Sequence, residues 1–139
     1  MKRRKGREYA FQFLFQCDFT GKKPDKKDFA EFWTDRDGDT EGREFTEDIV
    51  YGTIHHLSEI DTAIQQAAEH WVLQRMAAVD RNILRLATYE LLYREDIPSA
   101  VTINEAIEIA KRYSSIESAA FINGILDTIA KGIEGKRKR

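Results

Sequence analysis

Apolar residues recur at helical spacing in the second half of the chain, and two breaks divide the stretch from Val79 to Asp127 into three helices. The first, about Val79 to Arg94, carries Val79, Ile83, Leu84, Leu86, Ala87, Tyr89, Leu91, Leu92 and Tyr93. Apolar side chains thus point in almost every direction, and such a helix must lie inside others. Arg81, Arg85 and Thr88 share one narrow sector, a single polar strip through which this helix could reach solvent or a partner. Pro98 ends what precedes it, and Thr102 with Glu105 reads as a capping box opening the second helix. There Ile103, Ala106, Ile107, Ala110 and Tyr113 form one stripe, opposite Glu105, Glu108, Lys111 and Arg112, as in a half-buried helix. After a Ser-rich break the third helix packs through Ile122, Ile125, Leu126, Ile129 and Ile133. Phe121 lies about 100° off the centre of that stripe, where an aromatic is only partly covered.

The first half follows the same period. From about Arg4 to Phe19 a helix turns Ala10, Phe13, Leu14 and Cys17 toward the core, while Arg4, Phe11 and Phe15 share a neighbouring sector. Thr20 to Gly42 holds a GKKPDKK turn, a short helix from about Asp25 to Trp33, and a mobile loop with the sequence DRDGD. From Glu41 onward Phe45, Ile49, Thr53, Leu57, Ile60, Ile64 and Ala68 make a long stripe, with Gly52 allowing a neighbouring helix to approach closely. Ser58 and Asp61 resemble a second capping box, so this stripe is expected to split near Leu57 into two helices. The pattern predicts an all-α fold, a helical bundle of roughly seven helices, and the length of 139 residues fits one domain.

Composition alters this picture mainly through charge. The net charge of −2 conceals cationic ends: Lys2, Arg3, Arg4, Lys5 and Arg7 come before the first acid, Glu8, and Lys136, Arg137, Lys138 and Arg139 close the chain. The remaining 13 basic residues face all 24 acids, which leaves −11 on the body. A basic arm over residues 1–7 and a basic tail over 136–139 on an acidic body favour a short, oriented polyanion over a long one. Guanidinium groups interleaved with aromatics suit RNA, since cations hold phosphate and π faces accept unstacked bases. Taken alone, Phe11 and Phe15 read as core; together with the cations of the arm they read as an RNA surface. No apolar run of signal-peptide or membrane-span length follows the basic start, so the expected location is cytoplasmic.

Several chemistries are not supported by the residues. The single Cys17 allows no internal disulfide and no cysteine-rich zinc site, and it serves best as a small hydrophobe. Asp35, Asp37 and Asp39 alternate as calcium ligands do, but positions 6 and 12 of the loop are Thr40 and Thr46 instead of the required Gly and Glu. His55, His56 and His70 lack metal-site spacing, and no phosphate loop or nucleophile elbow is present. Glu90 falls within the apolar arc of its helix, so it must be paired or hydrogen-bonded. Its expected role is to accept backbone N–H groups at the start of the helix after Pro98.

The ordered segments REYAFQFLFQ, IDTAI, WVLQRM, VDRNILRLATYELL, DIP, VTINEAIEIAKRYS and FINGILD resemble the NusB family of bacterial transcription antitermination factors. Only about Thr20 to Gly42 lacks a counterpart. The resemblance implies an RNA-binding protein without catalysis or cofactor. It would bind the boxA element of single-stranded nascent RNA together with the ribosomal protein NusE. With other Nus factors, the pair would keep RNA polymerase transcribing through terminators in ribosomal RNA operons. It further implies that Arg3, Arg4, Lys5 and Arg7 neutralise phosphates, that Phe15 and Phe121 stack on or flank bases, and that Glu117 and Ser118 lie at the RNA rim. Asp80, Arg81 and Arg85 would face the protein partner. Phe15 stands where relatives often carry Tyr, so a hydroxyl contact would be missing. Two other readings remain open: an RNA-binding module of a ribosomal RNA methyltransferase, although no such domain follows residue 139, and a helical protein-interaction scaffold.

Overall fold

A computed structural model of the protein describes residues 2–36 and 38–137. Asp37 of the acidic loop, Lys138 and Arg139 of the tail, and the side chain of Lys2 lie outside the described residues. The described residues form seven α-helices and one 3-10 turn: α1 (Lys2–Thr20), α2 (Lys26–Trp33), α3 (Thr40–His55), α4 (Leu57–Ala67), the turn Leu73–Arg75, α5 (Ala78–Tyr93), α6 (Ser99–Tyr113) and α7 (Ile116–Arg137). No helix among them is long and apolar enough to cross a membrane.

The expected central helix is α5, which packs against α1, α3, α4, α6 and α7. Ile83, Leu84, Leu86 and Ala87 are fully enclosed, and each large aliphatic chain so buried contributes roughly 1.5–3 kcal/mol. α3 reaches α5 at Gly52, where a Cβ would stand 2.1 Å from the Tyr89 ring. Only a residue without a side chain fits that crossing. The long stripe after Glu41 divides as expected, with α3 ending at His55 and α4 starting at Leu57. Gly21 closes α1 at φ 71°, in the left-handed region, with its N–H bonded to the Cys17 carbonyl at 2.9 Å.

The Thr20 to Gly42 region is held by aromatic packing. Phe29, Phe32 and Trp33 of α2 are buried, and their rings meet Phe13 and Tyr9 of α1 at centroid distances of 5.1–5.6 Å. Asp25 and Asp28 form a reciprocal capping box at the start of α2.

Two expected capping boxes are corrected. α6 begins a turn earlier than Thr102, because Pro98 sits at its N-cap with φ −59° and accepts from the N–H groups of Val101 and Thr102. Thr102 is therefore inside the helix, and its hydroxyl donates to Glu90 at 3.0 Å while Glu105 pairs with Arg4. At α4 the N-cap is His56 without a side-chain cap, and Asp61 is taken by Arg85.

Candidate nucleic-acid interface

The basic arm is the first part of α1, so helix geometry distributes its cations over different environments. Arg3 and Lys5 have side chains about half exposed, 3.8 Å from Asp96 and Glu8 respectively. Arg4 lies on the surface with Nε 2.9 and 3.2 Å from the two Glu105 oxygens, and this hydrogen bond raises its pKa further above the usual range. Arg7 points inward. Its Nε and Nη2 donate to the two oxygens of Glu90, each at 2.8 Å, with side-chain exposures of 4% and 0%.

This pair corrects two expectations at once. Arg7 is buried beneath the surface where phosphate could reach it, because burial of Glu90 demands a counter-charge. Glu90 is buried as expected, but it accepts from Arg7 and the Thr102 hydroxyl, and among the described residues no backbone N–H donates to it. Above this pair, the guanidinium groups of Arg3, Arg7 and Arg94 lie 5.0–5.4 Å from the centre of the Phe45 ring.

Along the seam between α1 and α6, Phe11 is core: it is 3% exposed and lies 5.0 Å from the Tyr113 ring. Phe15 is half-buried beside it, at 6.0 Å between ring centres. Arg112, expected opposite the apolar stripe of α6, lies here with Nη1 3.1 Å from Glu8. Glu8 also accepts from the Tyr113 hydroxyl, and burial together with that bond raises the tyrosine's pKa. Arg4, Arg112 and Phe15 therefore share one edge of the bundle.

The start of α7 supplies the rest of the surface. Ser115 caps it, its Oγ accepting from the Ser118 N–H at 3.0 Å. Glu117 is exposed and Phe121 half-buried, and the Phe121 ring meets Trp71 edge-on with centroids 5.2 Å apart. Asp80 is not a free surface carboxylate: it is 9% exposed and accepts from the hydroxyls of Ser114 and Ser118, both at 3.1 Å. The Ser118 side chain is thus partly committed to holding α7 against α5.

Arg81 and Arg85 are also engaged internally, and Thr88 of the same strip is fully buried. Arg81 donates to Asp18 at 2.7 and 2.9 Å and to the Gln74 and Met76 carbonyls at 3.2 and 3.1 Å. Arg85 binds Asp61 at 2.9 and 3.0 Å. Burial pushes the Asp18 pKa up, but hydrogen bonds from Arg81 and Asn82 outweigh it and leave the net shift downward. The polar strip of α5 therefore binds α1, α4 and the 3-10 turn, whose acids and carbonyls are far away in sequence. This revises the expected partner-facing role of Asp80, Arg81 and Arg85.

Residues 3–5, Phe15 and the start of α7 thus present cations, half-covered rings and hydroxyls on a folded helical surface. Among the described residues, no group of three or more His, Cys, Asp or Glu could hold a metal ion. The fold and surface define an all-helical protein whose chemistry suits polyanion recognition. The model of the NusB family matches residues 4–131, and the chain belongs to that family. Desulfitobacterium hafniense transcription antitermination protein NusB is 50% identical over 140 residues, covering 100% of this chain and 95% of that protein. The solved structure of T. maritima NusB superposes with a TM-score of 0.85 at 46% identity, over 93% of this chain and 90% of its own. A structure of antitermination factors NusB and NusE in complex with dsRNA gives a TM-score of 0.86 at 26% identity, over 94% and 97%.

Proposed function

We propose that this chain is a transcription antitermination factor that binds the boxA element of nascent RNA together with NusE in ribosomal RNA operons. It works in the cytoplasm as one helical domain, by binding and without catalysis, within an assembly of RNA polymerase and other Nus factors. The observation that carries this reading is its likeness, across nearly the whole chain, to a NusB structure holding both NusE and RNA. The surface supports it: Arg3, Arg4 and Lys5 meet phosphates, Phe15 and Phe121 meet bases, and Glu117 and Ser118 form the rim. Arg7, Asp80, Arg81 and Arg85 serve by fixing the helices that present these groups.

The test is a fluorescence anisotropy titration with a short labelled boxA single strand, a duplex of the same sequence and a scrambled strand, each with and without NusE. The expected order is tightest binding to boxA with NusE present and clear discrimination against the scrambled strand. Equal affinity for boxA and scrambled RNA in the presence of NusE would overturn the proposal.

A further inference from the structure

Trp71 is an exposed aromatic in a rigid setting. It stands at the end of the connection after α4, 58% exposed, although a large ring in water forgoes the free energy of burial. The backbone around it is pinned from both sides. Gln65 donates to the carbonyls of Ala68 and Trp71, and its own carbonyl accepts from the Leu73 N–H at 2.9 Å. The Trp71 N–H bonds the Ala68 carbonyl at 3.0 Å, and Leu73 is anchored in the core at 1% exposure. From the other side Arg81 holds the carbonyls of Gln74 and Met76. These bonds fix the backbone that presents the indole.

The indole is held against Phe121. The two rings meet at an interplanar angle of 75°, which makes an open corner of two nearly perpendicular aromatic walls and leaves most of the indole uncovered. Ser118 and Glu117 lie a turn before Phe121 on α7. A planar heterocycle stacked on one wall would abut the edge of the other, with hydroxyl and carboxylate groups nearby for its polar edge.

We propose that Trp71 is a second base-stacking residue, taking an unstacked nucleobase of single-stranded RNA next to the base held at Phe121. This rests on the RNA-binding reading above and extends its surface from α7 to the connection after α4. The side chain carries no charge, so it contributes to affinity but not to the salt dependence, and it accepts any base because every base has a π face.

The test uses the full chain and a short boxA single strand. Trp71→Ala is expected to weaken binding roughly five- to a hundredfold, with the slope of log K against log salt unchanged and most of the loss restored in Trp71→Phe. Trp33 is buried in the α1–α2 aromatic cluster, so a Trp33→Phe background isolates the indole of Trp71. Its emission should be quenched by RNA with the midpoint found by anisotropy. The inference is overturned if the wild-type protein binds RNA and Trp71→Ala binds it equally well, or if the isolated indole is not quenched. It is also overturned if the loss appears only with NusE, or if Trp71→Leu restores binding as fully as Trp71→Phe. Absence of RNA binding by the wild-type protein with NusE present would instead remove the functional reading on which the inference rests.

Discussion

The buried pair with Glu90 predicts that Arg7 acts on stability and not on phosphate. Its guanidinium and the Glu90 carboxylate make two hydrogen bonds of 2.8 Å in a region excluded from water, and Thr102 adds a third at 3.0 Å. Removing one partner leaves a buried charge without its counter-charge, which typically costs about 3–5 kcal/mol. Arg7→Met and Glu90→Leu should each destabilise by that amount in urea denaturation followed by circular dichroism. The double variant should recover most of the loss, because two apolar chains of similar volume remove both desolvation penalties together. In it the Thr102 hydroxyl can turn to the Pro98 carbonyl one turn back, as helical threonines do. The double variant should then bind boxA RNA with the wild-type salt slope. A folded double variant of normal stability that bound RNA weakly, with a flatter slope, would refute this reasoning and return Arg7 to the phosphate-binding set.

Other perturbations separate the remaining roles. Replacing Arg3, Arg4 and Lys5 together with alanine should flatten the slope of log K against log salt by about 2, at about 0.7 per phosphate contact on a single strand, with helicity unchanged. Gly52→Ala should destabilise by about 1–3 kcal/mol, since a Cβ would strike the Tyr89 ring, and Tyr89→Leu in the same chain should relieve part of that loss in a denaturation series. Burial first, and the hydrogen bond to Asp48 second, push the Tyr89 phenol up to about 12. The folded protein therefore holds this proton more tightly than the unfolded chain, whose phenol titrates near ~10. The resulting stability is complete below about pH 10 and lost as pH rises through about 12. Tyr89→Phe should remove that part of the alkaline denaturation curve.

The helices were legible because each is announced by local signals: apolar spacing for α5 and α7, Pro98 before α6, and Gly52 at a close crossing. Glu90 was legible as buried because a carboxylate inside an apolar arc has few other places to go. Its partner was not, since Arg7 lies 83 residues away and local pattern carries no record of that distance. The same limit explains Thr102, which satisfies the spacing of a capping box but is claimed by Glu90, and Asp61, which is claimed by Arg85. Trp71 gave no signal as part of a site because its contact with Phe121 exists only after α4 and α7 have packed.

The ion pairs of the surface also bear on how it would recognise RNA on the proposed reading. Arg3, Arg4 and Lys5 each stand beside an acid, and Arg112 shares Glu8 with Tyr113. On the proposed reading a phosphate would enter by exchanging with a carboxylate, so the electrostatic gain would be the difference between two ion pairs. An acidic body with paired cations repels a long polyanion while still accepting one that offers a phosphate at each paired position. Discrimination among RNAs must then come from groups that carry no charge. On the proposed reading Phe15 and Phe121 meet that requirement, because both rings are half-covered and a stacking face suits an unstacked base.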